Sequence, residues 1–321
     1  MLVFRKSTPS FHSIENVFET LLPFLDIEKV VLKQESKGIL NRLKNIFDLL
    51  RYRHHLLHIT GNDNYLLCFP FAKAILTIHD IEALKRKRGV IKMIFKYFWF
   101  TLPIKNAKVI TTISEFSKNE IQGLFKKKIS IRVIQNPLTL NLDYSPSTFN
   151  ELSPKILLIG TKKNKNLERL IQAVIGLPCE LIIVGSVENE VEGTLIENEI
   201  KYSIMYNLSN TEIVEQYIEC DFVCFVSTYE GFGLPILEAQ AIGRPTITSN
   251  ISPMKEVAGG GSLLVDPLLV QEIRKGINTV IKNKELRLSL VEKGRINVKK
   301  YDPKIIALKY QSIYNELGDS S

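Results

Sequence analysis

The stretch STYEGFGLPILEAQAIGRPTITSN (227–250) decides the fold. It continues an apolar run, CDFVCFVS (220–227), whose composition and length suit a buried strand. A polar loop follows, and Pro235 then sits where a helix would begin, because its missing N–H is unpaired there anyway and its φ is preset. Gly243 stops the helix ILEAQAI, and PTITS (245–249) starts a second strand. The loop Glu230-Gly231-Phe232-Gly233 thus lies between a strand's carboxyl end and a helix's amino end. Backbone N–H groups and the helix dipole favour an anion there, and glycines let it approach. Glu230 lies on that loop and Glu238 is expected on the first helical turn. A carboxylate repels phosphate, so each is aimed at neutral hydroxyls, the sugar and ribose groups flanking a diphosphate.

Outward from this stretch, β-branched runs alternate with helix-length amphipathic segments, the pattern of parallel α/β sheets. The first half offers LVF, KVVL (29–32), LLHIT (56–60), KAILTI (73–78), KVITTI (108–113) and IRVI (131–134). The second offers KILLIG (155–160), CELIIVG (179–185), KYSIMY (201–206), CDFVCFVS, PTITS and SLLVD (262–266). Two such sets predict two doubly wound, Rossmann-like domains facing across a cleft. The polar stretch PLTLNLDYSPSTFNELSPK (137–155) reads as an exposed linker, giving domains 1–148 and 149–302. The last amphipathic helix, 303–321, is expected to pack back on the first domain.

At 321 residues, with 45% hydrophobic and 24% charged residues, the chain has globular rather than disordered or fibrous composition. Four cysteines are too few for a disulfide scaffold and fit no zinc spacing, and Cys220 and Cys224 read as buried, inert thiols. A reduced, intracellular setting is expected. The opening MLVFRKSTPSF has no apolar stretch long enough for a signal peptide, and no span reaches the length of a transmembrane helix. Residues 1–140 hold 23 Lys/Arg against 11 Asp/Glu, a balance of +12; residues 141–321 hold 19 against 23, a balance of −4. The first half is drawn to something anionic.

E-G-F-G-L-P-I-L-E resembles the E-x7-E motif of the retaining GT-B glycosyltransferases of family 4. The similarity extends through EAQAIGRPTITSNISPMKEVAGGGSLLVDP downstream, and through ILLIGTKKNKNLERLIQAV and LSNTEIVEQYIECDFVCFVS upstream. It implies a GT-B fold whose second domain binds a nucleotide-sugar. Glu238 would take the ribose hydroxyls, and Glu230 with the backbone of Gly231, Phe232, Gly233 and Leu234 would hold the sugar and phosphates. Lys165, beside Gly160, Thr161 and Lys162, matches the diphosphate-binding lysine and would stabilise charge on the leaving group. The family often has an arginine where Thr161 stands, and Lys162 is the candidate second cation. LTIHDIEALKR (76–86) resembles the family's strand ending in His-Asp, which implies that His79 contacts the transferred sugar. Asp80 and Ser114 read as helix caps, and HITGND (58–63) as a strand end lining the acceptor side. The family's glycine-rich loop after the first strand is absent from RKSTPSFHSIENVF (5–18), where Arg5, Lys6, Ser10 and Ser13 are available instead.

KRKRGVIKMIFKYFWFTLPIKNAK (85–108) carries eight Lys/Arg and no acid, interleaved with aromatics. Three readings fit: an anionic membrane interface, aromatic core with solvated lysines, or single-stranded nucleic acid. No recognition motif accompanies the last, so no nucleic-acid partner is expected. The expectation is a cytoplasmic enzyme peripheral to the inner face of the membrane. It would move a sugar from a nucleoside diphosphate sugar to a glycan or lipid-linked glycan in surface-polysaccharide synthesis of O-antigen or capsule type. No Asp-x-Asp is present, so neither metal nor cofactor is expected. The competing classes are a non-catalytic GT-B-like binding protein and a dinucleotide oxidoreductase. The oxidoreductase lacks its G-x-G-x-x-G after KILLIG or CELIIVG.

Overall fold

The computed structural model describes residues 1–6 and 13–318, and every apolar run quoted above forms a strand in it. The strands are β1 (Leu2–Phe4), β2 (Lys29–Val31), β3 (Leu56–Ile59), β4 (Lys73–Ile78), β5 (Val109–Thr112), β6 (Arg132–Val133), β7 (Lys155–Ile159), β8 (Glu180–Val184), β9 (Lys201–Met205), β10 (Phe222–Phe225), β11 (Thr246–Ser249) and β12 (Leu263–Val265). They form two six-stranded parallel sheets flanked by helices. Central strands such as β10 are buried along their whole length, which is why they read as unbroken apolar runs rather than alternating ones.

The two sheets differ in order. The first runs β2-β1-β3-β4-β5-β6, so its order reverses between β1 and β3. The second runs β12-β11-β10-β7-β8-β9, the dinucleotide-binding order, and reverses between β7 and β10. Ligands of open α/β sheets bind outside the strand carboxyl ends at such a reversal. In the second unit those ends lead into Gly160 and Ser227, the starts of the two loops that the sequence singles out.

The chain divides into one unit of residues 1–139 with 302–321, and another of residues 140–301. The change of unit falls ahead of residue 148 because the linker's start is tied into the second unit. Tyr144 packs so closely on Gly243 that a Cβ there would lie 2.5 Å from its ring. The Ser145 N–H donates to Ile242 O at 3.1 Å, and its carbonyl accepts from Arg244 at 2.6 Å. Arg244 is buried and is solvated entirely by carbonyls, those of Cys220 (2.8 Å), Ile218 (2.6 Å), Ile242 (3.5 Å) and Ser145. Three of these cluster at the carboxyl ends of two helices, Asn210–Glu219 and Leu234–Ile242, where a cation is favoured. The residue pair Gly243-Arg244 thus fixes both the linker and the site helix.

The helix Pro303–Gly318 belongs to the first unit. Its Tyr314 hydroxyl lies 2.7 Å from His58 Nδ1, and His58 Nε2 lies 2.7 Å from Thr77 Oγ1, which pairs with Thr111 at 2.6 Å. Arg132 and Glu316 form a two-pronged ion pair at 2.6 and 2.7 Å. His58 is fully enclosed, so burial lowers its pKa to about 3 and keeps it neutral. Cys220 and Cys224 are buried and free, and burial raises both thiols. Among the described residues, no helix is long and apolar enough to cross a membrane.

Candidate active site

The loops after β7 and β10 are stitched together at the order reversal of the second unit. Thr228 N–H donates to Asn164 O at 2.8 Å; Asn164 Nδ2 donates to Tyr229 O at 2.9 Å and to Glu230 Oε1 at 3.2 Å. Lys165 Nζ donates to the same Glu230 oxygen at 2.7 Å and stands 4.5 Å from the Phe225 ring centroid. The two charged side chains are 19% and 16% exposed, enough shelter to strengthen the pair and enough access to admit a ligand.

Gly160 shows why a glycine ends β7. Its φ is +89°, and a Cβ would lie 3.0 Å from Lys165 Cε, so the glycine lets the lysine stem lie across the strand end. Thr161 packs against the end of β8, where a Cβ on Gly185 would meet its hydroxyl at 2.7 Å. It is therefore built into the wall. Lys162 is exposed and precedes the short turn Lys163–Lys165.

Sequence reasoning missed Asn166. It adopts φ 64° at the head of the helix Leu167–Val174, and its buried Nδ2 donates to Val226 O at 3.0 Å and Pro267 O at 2.7 Å. Asn tolerates the left-handed region better than most residues, and here it staples the lysine loop to the ends of two other segments. The triplet Lys165-Asn166-Leu167 held the signal, since the position beside the lysine is polar at a helix start.

The helix Leu234–Ile242 begins at Leu234, with Gly233 at its N-cap at φ 117° and Pro235 in its first turn. Glu238 is its fifth residue and so sits in the second turn, not the first as the sequence suggested. It is buried. Burial pushes its carboxyl up to about 7, while a hydrogen bond from Tyr217 and the nearby Lys165 charge pull the other way. Phe232 turns its side chain inward, its ring 5.8 Å from that of Tyr301. It can therefore serve a ligand only through its backbone.

The structure brings Lys165, Glu230, Gly160 and the Gly231–Gly233 loop together, with Glu238 within electrostatic reach of Lys165. His79 lies on the other unit, directly after β4. It is buried, and its Nε2 lies 2.9 Å from Thr60 O. A carbonyl only accepts, so Nε2 carries the proton and Nδ1 is an acceptor. Burial lowers the His79 pKa, opposed by that bond and by the Asp80 charge. Asp80 accepts from Glu82 N–H at 2.8 Å, and Ser114 caps Glu115–Gln122 by accepting from Ser117 N–H at 3.0 Å. Arg5 is paired with Glu15, and Lys6 is exposed. Ser10 lies outside the described residues, as does the Ser13 side chain.

The basic segment is not one helix. A break at 86–88 separates Glu82–Lys85 from a continuous helical run made of Gly89–Lys96, a wider turn Tyr97–Thr101, and Leu102–Asn106. Its aromatics divide: Phe100 is core, Phe95 stacks on Trp99 at 4.7 Å, and Tyr97 and Phe98 face solvent. Val90, Ile91, Met93 and Ile94 are also exposed, by 54–71%. Arg42 lies 4.7 Å over Trp99 from the helix Ile39–Leu50, whose Ile39, Leu40 and Phe47 are exposed as well.

With this geometry in place, the comparison with known proteins is direct. Residues 145–297 match the family model of the group 1 glycosyl transferases. That span contains Lys165, Glu230 and Glu238 and coincides closely with the second unit. O-antigen chain mannosyltransferase B of Escherichia coli is 28% identical over 306 residues, which cover 88% of this chain and 79% of that protein. Sucrose-phosphate synthase from Thermosynechococcus elongatus superposes with a TM-score of 0.81 at 17% identity, covering 100% of this chain and 99% of its own. Anabaena Alr3699/HepE in complex with UDP and glucose gives 0.80 at 16% identity, covering 98% and 99%. At these identities the structures establish the fold, which is GT-B.

Proposed function

We propose that the protein is a retaining glycosyltransferase that moves a hexosyl group from a nucleoside diphosphate sugar to a glycan or lipid-linked glycan in surface-polysaccharide synthesis. The observation that carries this reading is the Lys165–Glu230 pair, held by Asn164 at the order reversal of the second sheet. An arriving diphosphate competes with Glu230 for the lysine. As the C1–O bond to the diphosphate breaks, an acceptor hydroxyl oxygen bonds to C1 and its proton passes to the departing diphosphate, whose growing charge Lys165 neutralises. Glu230, released from the lysine, turns to a sugar hydroxyl. Glu238 accepts from the ribose, and His79 offers Nδ1 to a hydroxyl of the transferred sugar. The similarity to an O-antigen mannosyltransferase supports the polysaccharide setting and puts mannose first among sugars to test.

The same reading places the first unit against the cytoplasmic face of an anionic membrane. Exposed Val90, Ile91, Met93, Ile94, Tyr97 and Phe98 share one segment with Lys85, Arg86, Lys87, Arg88 and Lys92, of which Lys85 and Arg86 are paired with Glu120 and Glu82. Exposed apolar residues and cations in one segment fit an acidic lipid interface. Vesicles containing phosphatidylserine should bind the protein, and reversing the charges at 85–88 should weaken that binding; unchanged binding would remove the membrane from the reading.

The test of the activity is a thermal-shift screen against UDP, GDP, ADP and their mannose and glucose conjugates. A ligand at about a hundred times its Kd should stabilise by roughly 2.7 kcal/mol. Glu238→Ala should abolish the shift. Failure of every nucleotide, with and without lipid, would favour a GT-B-like binding protein without catalysis.

A further inference from the structure

Glu238 has one close partner that the donor reading does not use. Tyr217, on the helix Asn210–Glu219, donates its hydroxyl to Glu238 Oε2 at 2.6 Å, and both side chains are buried. The phenol is fully enclosed, so it has no alternative partner in solvent. Its helix is fixed at both ends. Ser209 and Glu212 close a capping box at the start, and Arg244 takes the carbonyls of Ile218 and Cys220 on either side of the last turn. Arg244 also takes Ile242 O at the end of Glu238's own helix. The two helices that carry Tyr217 and Glu238 are therefore clamped together by one guanidinium.

We propose that Tyr217 is a positioning residue for donor binding: it engages Glu238 Oε2, fixes the carboxylate plane, and leaves Oε1 as the acceptor for a ribose hydroxyl of the nucleotide. The proposal rests on the donor reading above. A ribose hydroxyl donates best to an ionised carboxylate, and burial works against ionisation here. The Tyr217 hydrogen bond and the Lys165 charge work for it. Among neighbouring charged groups, Lys165 acts on Glu238 directly and Cys220 faces Tyr217. Arg287 and Arg295 on the adjacent helix are paired with Glu151 and Glu292, and Lys255 and Glu256 are exposed.

The experiment measures the affinity of UDP, GDP and ADP for the full-length protein by calorimetry between pH 6 and pH 9. The proteins compared are wild type, Tyr217→Phe, Glu238→Gln and the double variant. Tyr217→Phe keeps the ring and its packing, and an unchanged circular dichroism spectrum establishes that it folds. Loss of one stabilising hydrogen bond should move the midpoint of the Glu238-dependent affinity change upward by about one pH unit, weakening binding about fivefold at pH 7 and far less at pH 9. In the Glu238→Gln background the same change should have no further effect. An unmoved midpoint, or a loss equal at every pH and in both backgrounds, overturns the proposal. If Glu238→Gln itself leaves nucleotide affinity intact, the donor reading fails first; if it weakens binding while Tyr217→Phe does not, only the role of Tyr217 falls.

Discussion

Replacing His58 with Gln should make the first unit less sensitive to acid. His58 is enclosed by Thr77, Tyr314 and Tyr310 and is held neutral, its pKa lowered from 6.5 to about 3 by burial. In the unfolded chain it regains its ordinary value. Below pH 6.5 the unfolded state therefore binds one more proton than the folded state, so stability falls as pH falls. The slope is about 1.36 kcal/mol per pH unit, which from pH 6.5 to pH 5 amounts to roughly 2 kcal/mol. The loss would level off only near pH 3. Asp63 and Glu238, whose pKa values burial raises to about 6 and about 7, act in the opposite direction over the same range. Wild-type data alone would mix these effects, whereas the difference between wild type and His58→Gln cancels the carboxylates. The chain has a single tryptophan, Trp99, in the first unit, so urea unfolding followed by its fluorescence reports that unit. Between pH 7 and pH 5 wild type should lose about 2 kcal/mol more than the variant. Equal pH dependence in the two proteins would refute the buried, neutral imidazole.

Lys165→Ala should lower turnover by about 10²–10³-fold, as expected for removing a group that meets charge developing in the transition state. Kinetics with the donor found in the screen would show it, and an effect confined to KM would count against a role in the chemical step. On the proposed reading, in which Lys165 supplies the positive charge at the diphosphate, activity should survive EDTA; complete and metal-reversible loss would overturn this. Arg244→Met should destabilise the second unit by about 1–3 kcal/mol for each buried carbonyl left without its donor, and calorimetry would reveal a correspondingly lowered transition.

The strands were legible because buried parallel strands are uniformly apolar and end in glycine or a polar loop. That is why Gly160, Gly185 and Ser227 marked strand ends correctly from sequence. Lys165 and Glu230 were singled out by the resemblance and by the loop context, whereas the 2.7 Å contact between them comes only from the way the two loops fold. Tyr217 was not visible. On an amphipathic helix a tyrosine reads as core, and only the distance to Glu238 gives its hydroxyl a purpose. Residues 140–148 read as an exposed linker, and their composition did not show that the segment is also tied to the second unit. Tyr144 and the Ser145 backbone are engaged there by Gly243, Ile242 and Arg244. The helix Ile39–Leu50 marks a further boundary: periodicity shows an apolar face but not whether anything covers it, and here Ile39, Leu40 and Phe47 are left exposed.

The order of elements along the chain also sets an order of events at the ribosome. The helix Pro303–Gly318 completes the first unit but is synthesised after the whole of the second. Until it emerges, His58, Thr77 and Thr111 lack the Tyr310 and Tyr314 cover that the finished unit gives them. The nascent protein thus carries an unfinished amino-terminal sheet throughout the making of residues 140–301. The second unit is the first that can close, and any chaperone demand during translation should fall on the amino-terminal unit.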